Sequence, residues 1–171
     1  MIDLRSKIRE VQDFPTPGVG FKDFTPLLAD PEALRETVDQ LATWVKEKDC
    51  DIVIGAEARG FILGAAIAAQ AGVGFVPARR PGKLPPETIS VTYALEYGQN
   101  SLELHPDLIP NGSKVIIHDD VLATGGTGAA SVRLVERAGA TVAGFAVLME
   151  LEFLAGRAQL PGVDIHVVLA P

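Results

Sequence analysis

The sequence predicts an α/β protein whose parallel β-sheet is covered by helices on both faces. Short, continuously apolar segments, typical of buried strands, alternate with segments of helical periodicity along most of the chain. The length of 171 residues suits one domain with one core, and 47% hydrophobic against 22% charged residues favours a folded chain. We therefore expect residues 1–171 to form a single domain.

The predicted elements follow in chain order. Residues 3–10 are expected to form a short helix, and the proline- and glycine-containing stretch 13–28 an irregular surface lobe. Asp30 is a suitable N-cap and Pro31 suits a first helical position, so a long helix should begin there and end near Lys48. Further helices are predicted at residues 59–71 and 126–138, and strands at residues 51–54, 73–77, 114–119, 141–149 and 165–169.

A long insertion, residues 78–111, separates the second and third predicted strands. It holds the basic segment 79–83 and then a predicted hairpin, with strands 89–95 and 101–104 that turn at 97–100. A long, basic, Pro/Gly-rich loop inside a compact domain is typical of a lid, so we expect a flexible loop at about 78–105. Because ligands bind at the carboxyl ends of parallel strands, the site should lie beyond those ends.

Composition and spacing restrict the function classes. Fifteen basic against twenty-two acidic side chains give a net charge of −7, which argues against nucleic acid as a partner. Cys50 is the only cysteine, which excludes an intrachain disulfide and favours the reducing cytoplasm. No apolar run reaches the roughly 20 residues that span a membrane, and no metal-ligand spacing links the three histidines. Strand alternation points His118 away from Asp119, so His118 is predicted to pack on a helix.

The segment 115–127, VIIHDDVLATGGT, carries the most specific chemistry. An apolar strand leads to Asp119 and Asp120, and a Thr/Gly-rich turn then opens a helix whose N-terminus favours an anion such as phosphate. Two carboxylates beside a phosphate site are explained if a sugar lies between them and the phosphate. They can accept hydrogen bonds from two vicinal hydroxyls of the sugar, and their negative charge favours a ring that becomes positively charged in the reaction. The alternative is a solvated strand–turn–helix junction. The candidate phosphate-binding residues are Ala123, Thr124, Gly125, Gly126 and Thr127.

This thirteen-residue string resembles the phosphoribosyl pyrophosphate-binding motif of type I phosphoribosyltransferases. The resemblance implies their parallel sheet flanked by helices, with a small N-terminal hood at about residues 1–30 and a flexible hairpin loop. The segment 14–23, FPTPGVGFKD, is similar to the base-binding hood of the adenine-specific branch. There Gly20, Phe21 and Lys22 would contact the purine, and Val121 would cover its other face.

Two further segments extend the resemblance. The segment 55–61, GAEARGF, resembles the family's pyrophosphate loop, in which the peptide after the residue at Glu57 is often cis. The basic segment 79–83 and the segment 93–98, YALEYG, match the closing loop. The implied pyrophosphate-binding residues are Glu57, Ala58, Arg59, Arg79 and Lys83, and the implied loop residues are Glu96, as acid/base on a purine nitrogen, and Tyr97.

The resemblance implies a function. The expected reaction transfers a 5-phosphoribosyl group from phosphoribosyl pyrophosphate to adenine, giving AMP and pyrophosphate, with Mg²⁺ carried by the pyrophosphate and a homodimer as the assembly. Two alternatives stay open. The same chemistry on hypoxanthine, guanine or xanthine is disfavoured by the acidic segment 148–152, where such relatives carry a lysine. A regulator that binds phosphoribosyl pyrophosphate is disfavoured by the acidic composition.

Overall fold

The computed structural model describes residues 2–94 and 98–170, and its centre is a parallel sheet between two layers of helices. The helices are α1 (Thr25–Ala29), α2 (Pro31–Glu47), α3 (Gly60–Ala71) and α4 (Gly126–Arg137). The parallel strands are β3 (Ile52–Ala56), β4 (Gly74–Ala78), β7 (Lys114–Leu122), β8 (Thr141–Glu150) and β9 (Ile165–Leu169). Two antiparallel pairs complete the fold: β1 (Arg9–Val11) with β2 (Phe21–Asp23), and β5 (Ile89–Ala94) with β6 (Gln99–Leu104). The predicted fold class is confirmed.

The sheet has the strand order β4-β3-β7-β8-β9, and its central strands are buried on both faces. Side chains alternate along each strand: Ile54 and Ile117 face one apolar cluster, whereas Val53 and Ile116 face the other. The first cluster includes α4 and the hairpin β5–β6, and the second includes α1, α2 and α3. Double burial explains why these strands are continuously apolar in the sequence.

The long helix α2 begins where the sequence predicted. The Asp30 carboxylate accepts hydrogen bonds from the backbone N–H groups of Glu32 at 3.0 Å and Ala33 at 3.1 Å, and Pro31 is the first helical residue. Leu41 and Val45, one turn apart, are fully buried. None of the described helices is long and apolar enough to cross a membrane.

The N-terminal prediction was wrong in detail. Instead of a helix at 3–10, the chain forms a 3₁₀ turn at Arg5–Lys7 and then strand β1. Strand β1 pairs with β2, and Arg9 Nε donates to the Asp23 carboxylate at 3.0 Å. The stretch 13–28, expected to be irregular, contains β2 and α1. A long-range strand pair therefore overrides the local helical pattern.

The insertion is more firmly packed than a free loop would be. Four hairpin side chains are buried in the first apolar cluster under α4, namely Val91, Tyr93, Leu102 and Leu104. The longest mostly exposed run of the described insertion lies at residues 80–87. Residues 95–97, which include the candidates Glu96 and Tyr97, lie outside the described residues.

The third parallel strand is longer than predicted. Strand β7 continues past residue 119 to Leu122, so Asp119 and Asp120 lie within it and not beyond its end. Asp119 is registered with Val147 and Leu122 with Glu150 of β8, which extends pairing to the rim of the sheet. The two carboxylates are thus held by strand backbone.

Candidate active site

A cleft of about 360 Å³ opens at the carboxyl ends of β3, β7 and β8. The hood forms one of its walls and the sheet forms its floor. Its lining residues are Val19, Gly20, Phe21, Lys22, Glu57, Ala58, Arg59, Asp119, Asp120, Val121, Ala123, Thr127, Met149 and Leu151. The structure therefore brings together three segments that are far apart in the sequence, namely the hood residues 19–22, the pyrophosphate-loop residues 57–59 and the segment 119–127 with the carboxylates and the phosphate loop.

The hood wall is built on β2. Phe21 is half-buried and packs edge-to-face on Phe14, with ring centroids 5.2 Å apart. Lys22 Nζ lies 3.1 Å from the Glu10 carboxylate on the paired strand β1, so its ammonium group is already neutralised. Val121 faces the cleft as predicted. The hood side of the cleft thus combines the apolar Phe21 and Val121 with the polar Lys22, a mixture that is common in small-molecule sites.

The carboxylate pair, Asp119 and Asp120, occupies two different environments. Asp120 is only 3% exposed, and its Oδ2 lies 3.0 Å from Arg59 Nε in an ion pair without hydrogen-bond geometry. Asp119 Oδ1 accepts the backbone N–H of Asp120 at 2.9 Å. Burial, and then the neighbouring Asp120 charge, raise the pKa of Asp119 well above its ordinary value, against an opposing effect of Arg59.

The phosphate loop, residues 123–127, joins β7 to α4. Gly125 has a left-handed backbone with φ of 86°, and α4 begins at the next residue, so first-turn N–H groups point out of the helix end. A second cavity of about 60 Å³ lies over this loop and is lined by Asp119 and all five predicted phosphate-binding residues, among others. Tyr93 OH lies 3.3 Å from Thr127 Oγ1, a contact that the sequence did not predict.

The predicted pyrophosphate-binding residues are only partly brought together. The Glu57–Ala58 peptide is cis, as the resemblance implies, and the Glu57 carboxylate accepts hydrogen bonds from the Arg80 N–H at 2.7 Å and Arg79 Nε at 3.3 Å. The Arg59 guanidinium pairs with Asp120 and lies 5.8 Å from the Phe21 ring centroid. Arg59 and Arg79 thus both bind carboxylates of the site, but Arg79 and Lys83 lie outside the cleft lining, and Lys83 is exposed.

Several residues around the site escaped sequence reasoning. Met149 and Leu151 line the cleft at the end of β8, where strand order predicts ligand contacts but where neither side chain is chemically distinctive.

His118 is buried against α3, and its Nδ1–H donates to the Ala146 carbonyl at 2.9 Å. Burial lowers the pKa of His118 to about 4, so the ring is neutral. The prediction that His118 packs on a helix agrees with this placement.

Comparison with known proteins identifies relatives over nearly the whole chain. Residues 28–168 match the family model described as a phosphoribosyl transferase domain. An adenine phosphoribosyltransferase from a Synechococcus strain is 54% identical over 98% of this chain and 97% of its own length. The crystal structure of adenine phosphoribosyltransferase from Thermoanaerobacter pseudethanolicus superposes with a TM-score of 0.94 at 48% identity, covering 98% of both chains.

A third relative was solved with ligands. The adenine phosphoribosyltransferase of Saccharomyces cerevisiae, in complex with adenine and D-2,5-dideoxy-2,5-imino-altritol 1,6-bisphosphate, is 38% identical. It covers 97% of this chain and 96% of its own, with a TM-score of 0.93. With the hood, the carboxylate pair and the phosphate loop meeting in one cleft, these likenesses place the chain in the phosphoribosyltransferase family, and within it among the adenine phosphoribosyltransferases.

Proposed function

We propose that this protein transfers the 5-phosphoribosyl group from phosphoribosyl pyrophosphate to adenine, giving AMP and pyrophosphate in purine salvage. The observation that carries the proposal is one cleft that is lined by the hood residues 20–22, by the carboxylate pair and by the phosphate loop. The yeast relative, bound to adenine and a sugar-like bisphosphate, supports the same pair of substrates for this chain.

In this proposal the phosphate loop binds the 5′-phosphate and the carboxylate pair binds the ribose. Backbone N–H groups of the phosphate loop and the Thr124 and Thr127 hydroxyls would hold the 5′-phosphate at the N-terminus of α4. Asp119 and Asp120 would accept hydrogen bonds from the two ribose hydroxyls. The buried Asp120 Oδ2, which has no well-formed hydrogen bond among the described residues, supports this role because a buried carboxylate oxygen calls for a donor. The negative charge of the Asp119–Asp120 pair would stabilise a ribosyl ring that becomes cationic as its glycosidic bond breaks.

The purine and leaving-group subsites flank the sugar. Phe21 and Val121 would sandwich adenine, with backbone of Gly20 and the Lys22 side chain at its edge. Pyrophosphate would be received by Glu57–Ala58 backbone and by Arg59, Arg79 and Lys83. Because Arg59 now pairs with Asp120, it would exchange this partner, at least in part, for the leaving group. Glu96 as acid/base on the purine and Tyr97 beside the reacting carbon remain proposals from the family resemblance.

Mg²⁺ fits this site as an ion that arrives with the substrate. No cluster of three or more His, Cys, Asp or Glu side chains suited to a metal exists in residues 2–94 and 98–170. Mg²⁺ commonly binds through one or two carboxylates together with substrate phosphates, and Asp119, Asp120 and Glu57 line the cleft at separate points. Bound there, the ion would neutralise the departing pyrophosphate.

We also propose a cytoplasmic homodimer. An apolar groove of about 430 Å³ between hood and α3 is bordered by Phe14 and Ile62, which are 50% and 51% exposed. Burying such side chains between two copies would remove apolar surface from water. Cys50 is a free thiol, which suits a reducing compartment. Sedimentation of the purified protein would test the dimer, and a monomer at micromolar concentration would contradict it.

Product analysis tests the reaction itself. The protein is incubated with adenine, phosphoribosyl pyrophosphate and Mg²⁺, and AMP and pyrophosphate are quantified. We expect both products in equal amounts and their loss when the metal is chelated. Hydrolysis of phosphoribosyl pyrophosphate without AMP would contradict the transfer.

A further inference from the structure

A short turn after β8 packs directly on the back of the phosphate loop. Residues Gly156–Gln159 form a 3₁₀ turn, and Gly156 is buried. A methyl group at Gly156 would overlap the carbonyl oxygen of Ala123 and lie 2.9 Å from Leu122 Cδ1. In the opposite direction, a methyl group at Gly125 would overlap the Gly156 carbonyl oxygen. The two backbones are therefore in contact at a pair of glycines, with no room for a side chain from either.

An ion pair between the buried Glu150 and the exposed Arg157 fixes this turn to the sheet. Arg157 donates from Nε and Nη2 to the two carboxylate oxygens of Glu150, each at 2.8 Å. Glu150 is 4% exposed and is the last residue of β8, in register with Leu122 of β7. The backbone N–H of Leu151 donates to the Leu122 carbonyl at 2.9 Å. A bidentate arginine–carboxylate pair restricts orientation as well as distance.

We propose that Gly156 and the Glu150–Arg157 pair are positioning residues for the 5′-phosphate. They hold the Gly156–Gln159 turn as a rigid back wall, so that residues 123–125 keep the curvature that aims their N–H groups at the anion. The inference rests on the proposed function of the phosphate loop. Gly156, Glu150 and Arg157 do not line either cavity of the site as the described residues form them, so their effect on the substrate is indirect.

Glycine substitution separates positioning from folding. In Gly156→Ala the new methyl group must displace the Ala123 carbonyl, and we expect the KM for phosphoribosyl pyrophosphate to rise by about tenfold to a hundredfold. The KM for adenine should stay within about twofold, since the hood is untouched. Gly74→Ala is the matched control because its methyl group would sit at an ordinary 3.7 Å from Ile52 Cγ1 and far from the site.

The ion pair provides a second, independent variant set. Glu150→Gln and Arg157→Met should each raise the KM for phosphoribosyl pyrophosphate, and the double variant should be no worse than the worse single variant. An unchanged KM for phosphoribosyl pyrophosphate in both Gly156→Ala and Glu150→Gln, with the wild type active, would overturn the proposal. So would equal increases in the KM values for both substrates.

Binding of ribose 5-phosphate distinguishes this inference from the proposed reaction. By calorimetry, Gly156→Ala should bind ribose 5-phosphate about tenfold more weakly than the wild type and Gly74→Ala, whatever their activity. A wild type that binds ribose 5-phosphate but makes no nucleotide would refute the reaction and still allow this comparison. A wild type that does not bind ribose 5-phosphate would refute both.

Discussion

Asp119 and Asp120 are neighbours in sequence with different electrostatic surroundings. Asp120 lies against the Arg59 guanidinium at 3.0 Å. Asp119 is less buried than Asp120 and lines both the cleft and the cavity over the phosphate loop, and desolvation and the Asp120 charge raise its pKa. A carboxylate that is costly to ionise in the free protein gains most from hydroxyl donors that arrive with a substrate.

The raised pKa of Asp119 predicts an acid limb in the pH profile for phosphoribosyl pyrophosphate. Below its raised pKa, Asp119 is protonated and has lost acceptor capacity, so kcat/KM should fall as the pH falls through that value. Steady-state kinetics at varied pH would locate the limb above the usual range for a carboxyl group. In Asp119→Asn the limb should vanish, at a kcat/KM about a hundredfold lower. The same limb in that variant would assign it to another group.

At the scale of elements, the hood is a small unit outside the main sheet. Strands β1 and β2 pair only with each other, and the Arg9–Asp23 and Lys22–Glu10 ion pairs connect them. Phe21 on β2 faces the cleft and lies under the Arg59 guanidinium. The hood wall therefore meets the rest of the cleft where the Phe21 ring contacts Arg59.

Removal of the Phe21 ring should affect the base and spare the sugar phosphate. A base–aromatic stack contributes about 1–3 kcal/mol, so Phe21→Ala should raise the KM for adenine by roughly tenfold or more. The KM for phosphoribosyl pyrophosphate should change much less. Phe153→Ala is the control, since Phe153 is 79% exposed on the loop after β8. Equal effects of Phe21→Ala on both KM values would show that the ring only supports the structure.

Elements defined by local pattern were predictable from the sequence, and those defined by distant partners were not. The strands of the parallel sheet are continuously apolar because both faces are buried, and the Asp30 cap marks the start of α2. Strand β1 exists only through its pairing with β2, so its own pattern suggested a helix. The buried faces of the hairpin β5–β6 depend on α4, which lies further along the chain.

The same distinction holds for the site. Residues in contiguous motifs, such as 123–127 and 20–22, line the cavities where the sequence placed them. The turns that follow β8 bring Arg157 back to Glu150 and place Leu151 at the cleft, and no local sequence pattern predicts this arrangement. Arg59 fits its motif, yet its partner is the Asp120 carboxylate, a pairing that only the folded chain creates.

At the scale of the whole molecule, one buried histidine links stability to pH. His118 lies between β8 and α3, and desolvation lowers its pKa from the ordinary 6.5 to about 4. His118 therefore becomes protonated below about pH 6.5 in the unfolded chain but only below about pH 4 in the folded chain. Stability from this group is complete above pH 6.5 and is lost as the pH falls through this window.

The histidine predicts the slope of an unfolding curve. Between pH 6.5 and 4, His118 should account for about 3 kcal/mol of lost stability, measured by urea denaturation at several pH values. His118→Asn should be less stable at pH 7 but should show a shallower pH dependence in that window. His105→Asn, at a partly exposed position, serves as control. An unchanged slope in His118→Asn would assign the dependence to other groups, such as His166, whose pKa is also lowered by burial, or the carboxylates.

A base-panel assay tests whether the cleft joins an adenine-binding hood to a phosphoribosyl site. Wild-type protein with phosphoribosyl pyrophosphate and Mg²⁺ is offered adenine, hypoxanthine, guanine, xanthine and uracil, and kcat/KM is measured for each. We predict AMP from adenine, with every other base slower by at least about a hundredfold. Comparable nucleotide formation from a 6-oxopurine would show that the hood does not select adenine, and no nucleotide from any base would show that the cleft is not a phosphoribosyltransferase site.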